Sequence, residues 1–280
     1  MEEMLPTFLI IGSQKAGTTS LYNVLKRHPQ IFMPETKEIN FFFHEHLYKR
    51  GIEFYKQYFT NISKKCKAIG EASPGYICHP EAPKRIKKYL PDVKLILTVR
   101  NPVDRAYSQY WDNRCNLVES RTFEERVTEA LLDTDKLGKF GYFRRGLYIT
   151  HIKRFLKYFK REQLLILVFE DLIENPLNFY KKCFRFLGVE DSFECPEMWQ
   201  KFNPRLISNT PFYQFFLRNP KYSAYLPVPL RRLIRFIGRK IPYQYPPMDK
   251  ETRKKLIEFY KTSNKELSEF INRNLEHWNR

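Results

Sequence analysis

Residues 8–21 read FLIIGSQKAGTTSL. Four apolar residues run into Gly12, a short continuous stretch that suits a strand buried on both faces of a parallel sheet. Gly12 and Gly17 then keep the spacing of the G-x-x-x-x-G-K-[ST] loop that cradles nucleotide phosphates, and Thr19 keeps its hydroxyl position. The lysine is displaced: Thr18 follows Gly17, and the nearby lysine is Lys15, inside the loop. Glycines let backbone N–H groups approach an anion, and a helix starting near Thr18 adds its positive end. Thr18, Thr19 and Ser20 supply hydroxyl donors. A strand, a glycine loop and a helix in this order predict an anion site, and the rest of the chain bears on which anion it takes.

Working outward, KAIGEAS (67–73), VKLILTVR (93–100) and QLLILVFEDL (163–172) read as further strands. Between them lie helical stretches at 18–27, 80–90, 147–159 and 176–189, the last ended by Gly188. Asn101-Pro102 makes a cap and first turn for a helix through VDRAYSQYWDN. IEFYKQYF (52–59) has helical aromatic spacing, and ETKEINFFF (35–43) is too irregular to assign. Strands alternating with helices predict an α/β fold with a P-loop-like, mainly parallel sheet flanked by helices. In such sheets ligands bind at the carboxyl ends of the strands. That rule brings the segments after residue 11, after Gly70 and after Val99 to one crevice. No repeat or low-complexity linker interrupts the chain, so we expect one domain. Its parts are a cofactor-binding core over 5–189, an acceptor-pocket or lid segment over 190–249, and a capped charged helix over 250–280.

The formal charge of +18 and pI of about 9.6 favour a polyanionic partner, such as a nucleotide, an acidic polysaccharide or an anionic membrane. A lysine-rich solvated coat accounts for part of that excess. No nucleic-acid module is recognisable, so no nucleic-acid partner is expected. RRLIRFIGRK (231–240) has helical period and reads either as a helix packed on the core or as one lying on a membrane surface. Five scattered cysteines without metal spacing favour a reducing compartment over a disulfide framework. LPTFLIIG is too short to span a membrane and lacks a basic leader. We therefore expect a cytoplasmic enzyme, with a trimmed luminal domain as the alternative.

A triphosphate kinase needs a carboxylate at the end of a neighbouring strand to hold Mg²⁺. The strongest such strand, KLILTV, ends in Arg100, a cation that suits a second phosphate; Glu170 and Asp171 in FEDL keep a metal reading open.

SQKAGTTSL followed by HPQI and KEINFF, and later LTVRNPVDRAYSQY, resembles the sulfotransferase superfamily that uses 3′-phosphoadenosine 5′-phosphosulfate (PAPS), in particular the heparan-sulfate-type and related bacterial members. The resemblance runs from residue 7 to 188, with an echo in LEHW near the C-terminus. It implies PAPS as donor, adenosine 3′,5′-bisphosphate as product, and no required metal. It implies that Lys15 contacts the 5′-phosphate and bridging oxygen, with Ala16, Gly17, Thr18, Thr19 and Ser20 completing that subsite. Arg100 and Ser108 correspond to the family's 3′-phosphate contacts, and Tyr148 to a tyrosine near the nucleotide. Glu38 stands where polysaccharide-modifying members carry a general base, with Ile39, Phe41 and Phe42 expected to dry its surroundings and raise its pKa. Members acting on phenols and steroids use a histidine instead, which keeps His44, His46 and His79 as alternatives.

The chain departs from the family at Ala72, where animal heparan-sulfate enzymes usually carry an active-site lysine. The acceptor is accordingly expected to be a hydroxyl, with an amine second, on a carbohydrate, lipid or small molecule. Arg205 is expected in a loop closing over the nucleotide. Two rival readings are a Mg²⁺-dependent nucleotide kinase and a non-enzymatic basic module that binds acidic polymers or membranes.

Overall fold

FLIIG forms β1 (Phe8–Gly12), and every residue in it is buried, as expected of a strand covered on both faces. The parallel strands that follow are β2 (Ile31–Phe32), β3 (Ala68–Ala72), β4 (Lys94–Val99) and β5 (Leu164–Val168). Their order across the sheet is β2-β3-β1-β4-β5. The computed structural model describes residues 4–132, 141–200, 206–223 and 225–280. It divides into two units, Met1–Arg100 with Tyr148–Phe202, and Asn101–Leu147 with Asn203–Arg280.

The first unit holds this sheet, which makes the fold α/β and mainly parallel. Because β1 pairs with β3 on one side and β4 on the other, its carboxyl end lies where the strand order reverses, the usual ligand position in such sheets. Phe8 and Ile10 of β1, Ile96 of β4 and Leu167 of β5 bury one face. Against them pack Leu21, Val24 and Leu25 of the helix Thr18–Arg27, and Phe179, Phe184 and Leu187 of the helix Pro176–Leu187. Each such side chain contributes roughly 1.5–3 kcal/mol by leaving water. The first helix stops at His28, whose extended backbone is what a following proline demands. The second is capped by Asn175, which accepts from Asn178 N–H at 3.0 Å, and ends on left-handed Gly188.

One expectation is corrected here. The strand predicted through FEDL ends at Val168, and Glu170 and Asp171 lie in the first turn of a short helix, Phe169–Glu174. Asp171 pairs there with Lys182 at 3.6 Å. The edge strand β2 went unpredicted because two residues carry no periodicity.

The second unit is built on the helices Pro102–Cys115, Phe123–Leu132 and Lys250–Phe270. Asn101 caps the first by accepting from Val103 N–H at 3.0 Å, and Asp249 caps the third by accepting from Thr252 N–H at 2.8 Å. Tyr107, Tyr110, Phe123, Tyr142, Phe143 and Tyr260 form its aromatic core. Glu119 is fully buried beside them, held by Arg126 at 2.8 Å and by the Tyr142 hydroxyl at 2.7 Å, so its charge is paired. Within 190–249, β6 (Leu206–Ser208) pairs antiparallel with β7 (Lys240–Pro242). In the helix Val228–Phe236, Ile234 is buried while Leu233 and Phe236 are exposed. No helix among the described residues is long and apolar enough to cross a membrane.

Candidate active site

The loop leaving β1 is clamped to β4: Ser13 N–H donates to Thr98 O at 2.9 Å, and the Thr98 hydroxyl donates to Gly12 O at 3.1 Å. Lys15 takes a left-handed backbone, φ 70°, which strains a residue with a Cβ and is held by the loop around it. Gly17 follows at φ 82° and opens the helix Thr18–Arg27, which no side chain caps at that end. Its first backbone N–H groups and its dipole thus suit an anion. The loop glycines do more than admit an anion. A Cβ at Gly12 would stand 2.5 Å from Ile77 Cγ2, and one at Gly17 2.9 Å from both Leu172 and Phe169. They let the loop sit directly on the core.

Arg100 directly follows β4 and reaches back to the loop, donating from Nη1 to Lys15 O at 3.1 Å while its guanidinium lies 4.9 Å from the Phe169 ring. Tyr148, 1 % exposed, uses its hydroxyl to hold the Arg100 backbone, donating to Arg100 O at 2.9 Å and accepting from Arg100 N–H at 3.4 Å. The first unit therefore brings Lys15, Ala16, Gly17, Thr18, Thr19, Ser20, Arg100 and Tyr148 to the carboxyl edge of β1 and β4. Ser108 is buried in the second unit, on the helix Pro102–Cys115. Arg205 lies outside the described residues.

Glu38 sits on a turn whose N–H donates to Ala72 O at 3.0 Å, just past the end of β3. Its surroundings differ from expectation. Ile39, Phe41 and Phe42 are buried in the core, but Glu38 itself is 41 % exposed and paired with Lys37 at 2.8 Å. The apolar side chains are buried while Glu38 stays exposed, so they do not dry it. Ala72, at the family's lysine position, is buried in the apolar core. The cation beside Glu38 is Lys37. His44 and His46 are exposed with rings 5.3 Å apart, and burial together with the charge of Arg85 lowers the pKa of His79.

One carboxylate went unread in the sequence. Glu71 of β3 is fully buried, and its carboxyl accepts from Tyr55 at 2.9 Å, Tyr76 at 2.7 Å and Ser73 at 2.9 Å. Burial raises its pKa from 4.5 to about 7, against the opposing pull of those hydroxyls and with the help of the Glu38 charge. The available signal was a charged residue inside GEASPGY, where a buried parallel strand should carry none unpaired. Among the described residues no group of three or more His, Cys, Asp or Glu is placed to hold a metal ion.

A parallel sheet with a glycine loop at its switch point, a lysine inside that loop and an arginine just past the next strand makes a site suited to an anionic group. The sulfotransferase domain family matches residues 5–211, and the chain belongs to it. It is similar to the bifunctional heparan sulfate N-deacetylase/N-sulfotransferase 4 of Mus musculus, 33% identical over 281 residues that cover 96% of this chain and 30% of that protein. It is likewise 31% identical to the N-deacetylase/N-sulfotransferase 3 of Homo sapiens over 283 residues, 97% of this chain and 30% of that one. The chain thus spans under a third of the length of these relatives. Among solved structures it resembles a sulfotransferase from Alicyclobacillus acidocaldarius, with a TM-score of 0.73, 27% identity, and coverage of 99% and 100% of the two chains. The protein is a sulfotransferase, an enzyme of sulfuryl transfer.

Proposed function

We propose that the chain uses PAPS as its sulfuryl donor, with the loop of residues 15–20 holding the 5′-phosphosulfate and Arg100 the 3′-phosphate, joined there by Ser108 as the family resemblance pairs them. The residues fit such a donor: an uncapped helix start, two cations and three hydroxyls suit phosphate oxygens. The observation that carries the reading is the hydrogen bond from Arg100 Nη1 to the backbone carbonyl of Lys15 at 3.1 Å, which sets a guanidinium against the anion loop. When bound, the donor supplies an activated sulfuryl group on a phosphate leaving group. Lys15 then opposes the negative charge that develops as that phosphate departs. Glu38 takes the proton from the attacking hydroxyl or amine, and Lys37 provides the cation that position 72 does not. Positioning and charge neutralisation do the rest, as in phosphoryl transfer.

The relatives' names support a carbohydrate acceptor, taken by the segment 190–249, within a single sulfotransferase domain over 1–280. The scattered spacing of the five cysteines supports a reducing, cytoplasmic setting, with a luminal domain as the alternative. The test is isothermal titration with adenosine 3′,5′-bisphosphate in the absence of metal, beside ATP with Mg²⁺. We expect metal-free bisphosphate binding that weakens on the order of 10–10²-fold in Arg100→Ala, the loss of a charged hydrogen-bond donor. Binding of ATP·Mg²⁺ alone would hand the site to a kinase.

A further inference from the structure

The turn that carries Glu38 is held from below. Glu38 and Asn40 both adopt left-handed backbone, φ 62° and 56°, which neither residue prefers strongly enough to hold by itself. Asn40 steadies the turn locally by donating from Nδ2 to Glu38 O at 2.9 Å. Two further backbone groups hang on β3 and the residues after it: Asn40 N–H donates to the Ser73 hydroxyl at 3.0 Å, and Phe42 N–H to the Tyr76 hydroxyl at 3.4 Å. Each hydroxyl oxygen accepts from an amide and so has its own proton to give. Both protons go to one acceptor, with Ser73 donating to Glu71 Oε2 at 2.9 Å and Tyr76 to Glu71 Oε1 at 2.7 Å. Tyr55 donates to the same Oε1 at 2.9 Å and stacks on Phe41, 4.7 Å between ring centroids, which packs the turn's apolar side.

We propose that Glu71 is a positioning residue for Glu38: one buried carboxylate orients the Ser73 and Tyr76 hydroxyls so that they hold the backbone of residues 40 and 42, and with it the turn that presents the base. The inference rests on the reading of Glu38 as the general base. A carboxylate is required because it is acceptor-only and takes all three hydroxyl protons at once. Glutamine, of equal volume, donates from one end. A hydroxyl facing that end must turn its proton elsewhere, and the chain from backbone amide to carboxylate is broken at that branch. The groups facing Glu71 are the hydroxyls of Tyr55, Tyr76 and Ser73, with the Glu38 charge beyond them. Burial keeps Glu71 protonated to near neutral pH, which fits a relay that is complete only on the alkaline side.

The experiment compares the wild-type chain with Glu71→Gln, Glu38→Gln and the double variant. Three measurements are made: amide hydrogen exchange, adenosine 3′,5′-bisphosphate binding, and PAPS-dependent transfer to de-N-sulfated heparin as the probe acceptor. In Glu71→Gln, exchange at Asn40 and Phe42 should quicken about tenfold or more while bisphosphate affinity holds, since each amide loses a partner anchored on a charge. Turnover should fall by up to about 10²-fold, the usual effect of a displaced catalytic group. The double variant should be no slower than Glu38→Gln, and the rise of turnover near neutral pH should be lost with Glu71.

Unchanged exchange at both amides, or a double variant slower by the product of the two single losses, overturns the proposal. Failure of the underlying reading looks different, because Glu38→Gln would then turn over normally whatever the exchange shows. If Glu71→Gln does not fold, Ser73→Ala tests the same relay at one branch, with faster exchange expected at Asn40 and not at Phe42. Equal exchange at both amides in that variant sinks the idea.

Discussion

Lys15 joins two demands at one residue. Its backbone is left-handed, φ 70°, a conformation that costs a residue with a Cβ about 1–2 kcal/mol, while its ammonium belongs to the loop. Alanine at this position bears the same backbone cost, so Lys15→Ala isolates the charge. We expect its kcat to fall about 10²–10³-fold, the loss typical of one group aimed at developing negative charge, with a smaller change in bisphosphate affinity. Steady-state kinetics beside titration calorimetry check this, and a near-normal kcat removes Lys15 from the mechanism. The displaced lysine was legible in residues 12–20 without any structure. The left-handed turn beneath it was not, because lysine has no sequence preference for that conformation. At Glu38 the sequence supported a dry, buried base, and the fold leaves the side chain in water beside Lys37. Adjacent residues on an irregular turn need not share a side, and only the path of the backbone decides which of them faces the core.

Among the elements, β1 and β3 are bound by an interlock that composition does not display. Gly70 of β3 pairs with Phe8 of β1, and a Cβ on Gly70 would stand 2.1 Å from Phe8 Cζ, inside the ring's own volume. Both residues lie in the buried sheet, so neither can move away cheaply. Gly70→Ala should cost at least about 1–3 kcal/mol, and Phe8→Leu in the same chain should recover part of that by opening space. Denaturant midpoints of the single and double variants measure it; additive losses would show that the two sites do not share that volume. Apolar runs, Asn101-Pro102 and Gly188 announced the long elements because each carries a local physical signature. FEDL misled, since an apolar run followed by acidic residues looks alike whether the strand continues or a helix begins. β2 and the β6–β7 pair escaped notice because two or three residues are held by partners distant in sequence rather than by periodicity.

For the whole molecule, the buried Glu71 makes stability depend on pH. In the unfolded chain this carboxyl releases its proton near 4.5, and in the fold near about 7. Between those values the folded state binds the extra proton, so stability falls as pH rises from about 4.5 to about 7 and is level above. The full change is about 3 kcal/mol for a shift of that size. Glu71→Gln should flatten the stability profile across this window, as read by chemical denaturation at several pH values; an unchanged slope would assign the linkage to other groups.

The sequence alone determined the alternation of strands and helices, the anion loop and the two cations Lys15 and Arg100, because these follow from local spacing and residue chemistry. Tertiary structure decided that the Arg100 guanidinium reaches the backbone carbonyl of Lys15 at 3.1 Å, and that the Tyr148 hydroxyl holds the Arg100 backbone. It also decided that a buried glutamate lies beneath the turn of Glu38. Each of those facts joins residues tens of positions apart, and only the packing of the sheet sets which of them come within bonding distance.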